Sequence, residues 1–258
     1  MADMTLTQAL IAAGLLCAAP VAAASDPICA DRPGKASATC TAPAGHVQLE
    51  TGLADWTLER SQRQRDTTLT NGATAIKYGL SERAHIELDV TPFVRASEHE
   101  GIGDVVVRWK QRLTADDAPV EVALYPFVKL PTARHAIGNG RVEAGLAAPI
   151  GYALPNSRVS LALTPELDWL ADGDGHGHHA AMAQVASVGW QADARWNVSA
   201  ELWGQWDWDP AGTVRQASAD GAVAFLVSND LQLDAGANVG LNRATPDVEI
   251  YAGVAKRF

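Results

Sequence analysis

The stretch Gly103-Asp-Val-Val-Val-Arg-Trp-Lys-Gln-Arg-Leu113 sets Val105, Val107 and Trp109 at every second position, with Asp104, Arg108, Lys110 and Arg112 on the alternate ones. Successive side chains of a β-strand point to opposite faces, so a period of two describes a strand with one apolar and one charged face, and helical spacing fits it less well. From His46 onward the same alternation recurs in twelve segments of about ten residues. Val47, Leu49, Thr51 and Leu53 oppose Gln48, Glu50 and Gly52 in the first. Ile86, Leu88 and Val90 oppose His85, Glu87 and Asp89 in the third, after a second segment at 68–80. The fifth sets Val120, Val122, Leu124, Val128 and Leu130 against Glu121, Tyr125 and Lys129, and the sixth sets Val142, Leu146, Ile150 and Tyr152 against Arg141 and Glu143. Leu161, Leu163, Leu167 and Trp169 oppose Ser160, Thr164, Glu166 and Asp168 in the seventh, and five more follow at 181–191, 195–208, 214–227, 230–241 and 247–258.

The connections between segments alternate in length. Those at 81–83, 114–118, 153–158, 191–194 and 228–230 are short, whereas those at 58–67, 96–101, 132–140, 171–180, 210–214 and 242–246 are mostly longer and rich in Gly, Pro and charge. Short turns at one end and longer loops at the other, with an even number of strands, are the pattern of an antiparallel up-and-down transmembrane β-barrel of the bacterial outer membrane. The expectation is all-β, about twelve strands, apolar faces toward lipid, polar faces toward the lumen and both termini in the periplasm. The aromatic residues support it: Trp56, Trp169, Trp206 and Trp208 fall beside long loops, and Tyr78, Tyr152, Trp190, Trp196 and Phe258 beside short turns, giving two interfacial rings. A soluble β-sandwich would also alternate, but it has no reason to sort its aromatics by loop length.

Composition narrows the function. Twenty Lys and Arg stand against 30 Asp and Glu in 258 residues, a formal charge of -10, which argues against holding nucleic acid by its phosphates. No apolar run after the N-terminus reaches the ~20 residues of a spanning helix. Residues 1–24 read as a signal peptide, with an apolar run from Leu10 and Ala22-Ala23-Ala24 before Ser25. Residues 25–45 form a periplasmic N-terminal segment in which Cys29 and Cys40 are expected to make a disulfide, and 46–258 form the barrel.

Parity places Glu50, Glu87, Asp89, Asp104, Glu121, Glu143, Glu166, Asp168, Glu201, Asp220, Asp234 and Glu249 in the lumen, with Lys77, Arg108, Lys110, Arg112, Lys129, Arg141 and Arg257. Asp104, Arg108, Lys110, Arg112, Glu121, Lys129, Arg141, Glu143, Glu166 and Glu201 are the candidates for the solute pathway. Basic residues gather on segments four to six and acidic ones on nine to twelve, so a transverse field or a set of cross-lumen salt bridges is expected. Catalysis finds little support: His85, His99 and His135 lie near no nucleophile motif. The run Asp172-Gly-Asp-Gly-His-Gly-His-His179 has ligand types suited to a metal, yet its glycines favour a solvated outer loop, so no metal and no cofactor are expected. The basic loop Glu59–Arg65 would face lipopolysaccharide phosphates.

Five stretches carry a resemblance to a known family: 103–113, Tyr125-Pro-Phe-Val-Lys-Leu-Pro-Thr-Ala133, 138–150, Glu201-Leu-Trp-Gly-Gln205 and 232–247. They resemble the bacterial outer-membrane transporter family named for the meta-pathway of phenol degradation. The resemblance implies a barrel that passes small solutes, aromatic or otherwise poorly water-soluble ones included. The expected function is a passive channel or transporter rather than an enzyme, with small solutes and outer-membrane lipid as partners. The alternatives are a sealed barrel with a structural or surface-binding role and an outer-membrane enzyme acting on lipid. The segment 131–135 is expected to fold into the mouth.

Overall fold

In the computed structural model residues 26–60, 65–134 and 136–258 are described. The signal peptide 1–24, residues 61–64 of the basic loop and His135 lie outside them. The strands are β1 (Val47–Arg60), β2 (Arg65–Asn71), β3 (Ala73–Ser81), β4 (Ala84–Val90), β5 (Phe93–Ala96), β6 (His99–Gly101), β7 (Val105–Arg112), β8 (Val120–Leu130), β9 (Glu143–Ala147), β10 (Ile150–Ala153), β11 (Val159–Ala171), β12 (His178–Gln191), β13 (Trp196–Asp207), β14 (Val214–Ser228), β15 (Leu231–Gly240) and β16 (Val248–Arg257). Neighbours pair antiparallel, and β16 returns to β1 with Gln48 opposite Arg257 and Leu58 opposite Val248. The result is a closed barrel of twelve wall strands, with β9 and β10 serving as one. Closure leaves no open sheet edge, which a strand wall in lipid requires. No described helix is long and apolar enough to cross a membrane, so strands make the crossing.

Two expected segments are interrupted. The second breaks at Gly72, so β2 leaves β3 and pairs with β5, building a ribbon β2–β5–β6 beyond the wall where a plain loop at 96–101 was expected. The sixth breaks at Ala148-Pro149, because Pro149 has no N–H for the ladder; its carbonyl still accepts the amide of Ala123 at 2.9 Å. Arg141, expected on that strand, lies in the connection before β9.

Burial is inverted relative to a soluble protein. Leu202 is 60% exposed and Trp169 55%, whereas Lys77 is 1% and Lys110 0% exposed. On β13 the outward Trp196 and Trp206 are ten positions apart, which at ~3.3 Å per residue and a tilt of ~40° gives an apolar band of ~25 Å. Trp203 has the opposite parity and faces the lumen with Glu201. Lys256 faces outward one step from the chain end, its ammonium 5.6 Å from the Phe258 ring, where its stem can snorkel.

Candidate functional site: a plugged lumen

Residues 26–45 precede β1 and turn back into the barrel. No residue among them belongs to a strand, and Pro27, Pro33 and Pro43 lack an N–H, so the segment has to find partners for its backbone groups elsewhere. Lumen side chains supply them. Glu50 accepts the amide of Asp31 at 3.0 Å, and Glu201 accepts those of Lys35 at 2.7 Å and Ala36 at 3.2 Å. Gln48 donates to the carbonyl of Cys29 at 2.6 Å, Gln232 to that of Arg32 at 3.1 Å and Lys110 to that of Ala38 at 3.0 Å. The Cys29–Cys40 disulfide closes this loop across its base.

Two glycines allow the close approach. Gly34, at the tip, has φ +80°, and a Cβ there would lie 2.7 Å from the Glu201 carboxylate. Gly79 of β3 faces the stem of the segment, and a Cβ on it would collide with the backbone carbonyl of Pro43.

Ion pairs fix the plug around its circumference. Asp31 reaches Lys110 at 2.6 Å and Lys77 at 2.5 Å, while Lys77 also pairs with Glu50. Burial works to raise the Asp31 carboxyl, but the ammonium groups of Lys110 and Lys77 hold it well below the usual carboxylate range. Arg32 reaches Asp234 at 2.9 Å on the far side, and Lys35 reaches Glu249 at 3.3 Å. On the return, the Thr39 hydroxyl donates to Glu121, and the amide of Ala42 donates to Nδ1 of His85 at 3.1 Å.

Charge in the lumen is therefore sorted by height. Toward the turns, the acids Asp31, Glu50, Glu87, Glu121 and Asp234 meet the bases Arg32, Lys77, Lys110, Arg112 and Arg257 in near balance. Nearer the loops, Asp55, Asp89, Asp104, Glu143, Glu166, Asp168, Asp220 and Glu249 face Arg108, Lys129 and the plug's Lys35 among the described residues. Arg108 pairs with Asp89 at 2.6 Å, and Lys129 pairs with Glu143 at 2.8 Å and Asp104 at 3.4 Å. Charge thus varies along the barrel axis as well as around the wall, with an acidic chamber above a neutral plug.

The pathway candidates separate accordingly. Lys110, Glu121 and Glu201 bind the plug. Arg112 lies at the short-turn end with Asp116 at 3.0 Å and Glu121 at 3.2 Å. Arg108, Lys129, Glu143 and Glu166 line the chamber, and Arg108 also covers the rings of Phe127 at 4.8 Å and Tyr125 at 5.4 Å. Asp104 accepts the amide of Ala133 at 2.8 Å, and Asn139 bridges Lys129 to Glu143, so 131–134 and 136–142 are tied to the rim. In the 172–179 run His176 stays exposed, but His179, expected in a solvated loop, is buried 2.8 Å from Asp172 and 2.7 Å from Asp207. His178 stacks on Trp169 at 5.8 Å.

Asp31, Arg32, Lys35, Trp203, Asn238 and Tyr251 were not among the expected pathway residues. Parity alone puts the last three in the lumen beside Glu201, Asp234 and Glu249. For the first three the sequence offers only three charges inside a short disulfide loop, whose wall partners lie far along the chain.

A search of curated protein sequences finds no match. Among solved structures, the translocator domain of the autotransporter NalP from Neisseria meningitidis aligns with a TM-score of 0.52 at 12% identity, covering 84% of this chain and 89% of that one. The CymD monoaromatic hydrocarbon channel gives 0.49 at 10% identity over 83% and 88%, and the Pseudomonas putida toluene transporter TodX 0.37 at 11% over 84% and 90%. The NalP likeness concerns the fold, which is that of a bacterial outer-membrane barrel. Sequence goes further than fold, since residues 30–258, plug and wall together, match the family model for the "MetA-pathway of phenol degradation", and the chain belongs to that family.

Proposed function

We propose that this protein is a passive outer-membrane channel for small solutes, aromatic and other sparingly soluble compounds included, whose resting lumen is closed by its own N-terminal segment. The observation that carries this reading is the way the plug is held. Its contacts to the wall are side-chain hydrogen bonds, ion pairs and a few backbone contacts at its ends, while the strand ladder around it closes without it. The plug can thus leave without unzipping the wall, and charged lumen walls matter to a solute only once water passes. Membership in a phenol-degradation family supports small aromatic compounds as cargo. With the plug displaced, the chamber residues Arg108, Lys129, Glu143 and Glu166 meet the solute first, and the acidic excess favours neutral and cationic solutes over anions. His85 takes part in plug docking, a role that requires no enzymatic chemistry.

Planar-bilayer conductance tests this. The full-length mature protein is expected to give rare, small steps and a variant lacking 26–45 sustained ones with cation preference. A deletion variant that folds, by heat-modifiable migration on gels, yet stays silent would establish the sealed barrel instead.

A further inference from the structure

At the long-loop end of the barrel a buried histidine joins the connections 172–177 and 208–213. His179 opens β12, and Trp206, which ends the apolar band on β13, pairs with Met182 three positions nearer the membrane, so His179 stands beyond that band. Its Nδ1 lies 2.8 Å from Oδ1 of Asp172 and 3.9 Å from Oδ2 of Asp209. Its buried Nε2 has no other partner and lies 2.7 Å from Oδ1 of Asp207, at the end of β13. Among the described residues no Lys or Arg pairs with any of these three acids. A neutral imidazole carries one N–H and one lone pair, so it serves a carboxylate on one side and turns its lone pair on the other, whereas the imidazolium donates from both nitrogens. The arrangement therefore selects the protonated ring. Burial opposes the charge, but the bond to Asp172 and the charges of Asp207 and Asp209 outweigh it and hold the imidazole above its ordinary value of 6.5. The amides of Ala211 and Gly173, at 2.6 and 2.7 Å, hold the Asp209 carboxyl below its ordinary range, and the Gly173 bond ties the two connections a second time.

We propose that His179 is a pH-sensitive clasp, which as an imidazolium holds the 172–177 and 208–213 connections together at the mouth and on losing its proton lets them part. Deprotonation leaves three carboxylates around a neutral ring, one of them against a lone pair. Because the folded-state value is raised, the clasp contributes fully below 6.5 and is lost as pH climbs through the raised value. The clasp goes beyond the channel reading and holds whether or not the lumen conducts; only its effect on passage rests on that reading. There, release widens the mouth and changes the size of the conductance steps, while their frequency stays with the plug at the other end.

Hydrogen exchange on the full-length mature protein in detergent, corrected for the intrinsic pH dependence of exchange, tests the clasp. Amides of 172–177 and 208–213 are expected to lose about tenfold in protection between about pH 6 and about pH 9, with the strand amides of β12 and β13 unchanged. His179→Gln should show the looser state already at the acid end, and His179→Lys, a cation across this range, should stay protected at the alkaline end. If His179→Gln fails to fold, Asp207→Asn serves in its place: an amide can meet either form of the ring, so its loop protection should no longer change with pH. The histidine ring resonances should place the His179 midpoint above 6.5 in the wild type and lower in Asp207→Asn. Wild-type loop protection that does not change with pH, an unaltered pH dependence in His179→Gln, or a midpoint at or below 6.5 overturns the proposal. Flux into liposomes separates it from the channel reading: pH-dependent protection without flux sustains the clasp and removes the channel, whereas flux with loops indifferent to pH does the reverse.

Discussion

Asp31 is the residue on which the plug most depends. Lys110 is fully buried, and its hydrogen-bond acceptors are both on the plug, the Asp31 carboxylate and the Ala38 carbonyl. Removing one member of such a buried pair costs about 3–5 kcal/mol, because the other charge stays behind without compensation. Asp31→Asn should therefore shift the plug toward its displaced state and raise the frequency of conductance steps at neutral pH, while the barrel still folds. The pH dependence follows from the sign of the shift. Lys110 and Lys77 depress the Asp31 carboxyl in the docked state against the opposing effect of burial, so its contribution is full above the unfolded value of about 3.9 and is lost only as pH falls below that. The wild type is expected to show the same step frequency from pH 8 to pH 5 and to open more often only in stronger acid. Opening with a midpoint near pH 6 would mean that another group holds the plug. Nothing around Asp31 in the sequence announces this role, since its partners lie 46 and 79 positions away.

At the level of elements, each strand has two faces with different demands. Leu202 sits midway between the two Trp residues of the β13 outer face, at the depth where a charge is most costly. Leu202→Arg should destabilise the barrel by about 2–4 kcal/mol in guanidinium titrations in bilayers, whereas Gln205→Arg on the lumen face should cost less than about 1 kcal/mol. Equal costs would mean that the two faces of β13 are misassigned. The β3 strand carries a second constraint, because Gly79 abuts the Pro43 carbonyl. Gly79→Ala should open the channel without weakening the barrel, while Gly221→Ala, where a Cβ meets nothing within 4 Å, should leave conductance unchanged. On β13 alternation placed Glu201 toward the lumen and Trp196 and Trp206 at the outer interfaces. It did not read the reason for Gly79, since that reason belongs to a segment with no periodicity of its own. The ribbon β2–β5–β6 was missed for a related cause: its short strands pair with each other beyond the wall and carry no long two-faced pattern.

On the scale of the whole molecule, barrel and plug are held by different interactions. The wall rests on a closed hydrogen-bond ladder and a lipid-facing apolar belt, and the plug rests largely on ion pairs and one disulfide. Closing an 11-residue separation contributes about 3 kcal/mol in the chain-entropy model, all of it to the plug. Replacing Cys29 and Cys40 by Ser should thus raise conductance while leaving the temperature of the heat-modifiable transition unchanged. Reductant should reproduce the effect in the wild type and add nothing to the double variant. A drop in barrel stability in the double variant would instead make the plug a structural core of the wall.

The alternation of residues by itself determined most of the wall strands, their even number, the lipid-facing side and the membrane the barrel occupies. It could do so because each of these depends on neighbours within one strand and on the two media that a strand wall separates. Which lumen charges meet was decided only by the tertiary structure. Parity says that a side chain points inward, but not at what height it sits or what stands opposite. Arg32 finds Asp234 across 202 positions, and Lys35 finds Glu249 across 214. Those meetings turn a Pro-rich cysteine loop into a plug, and they leave the excess acid in the chamber above it.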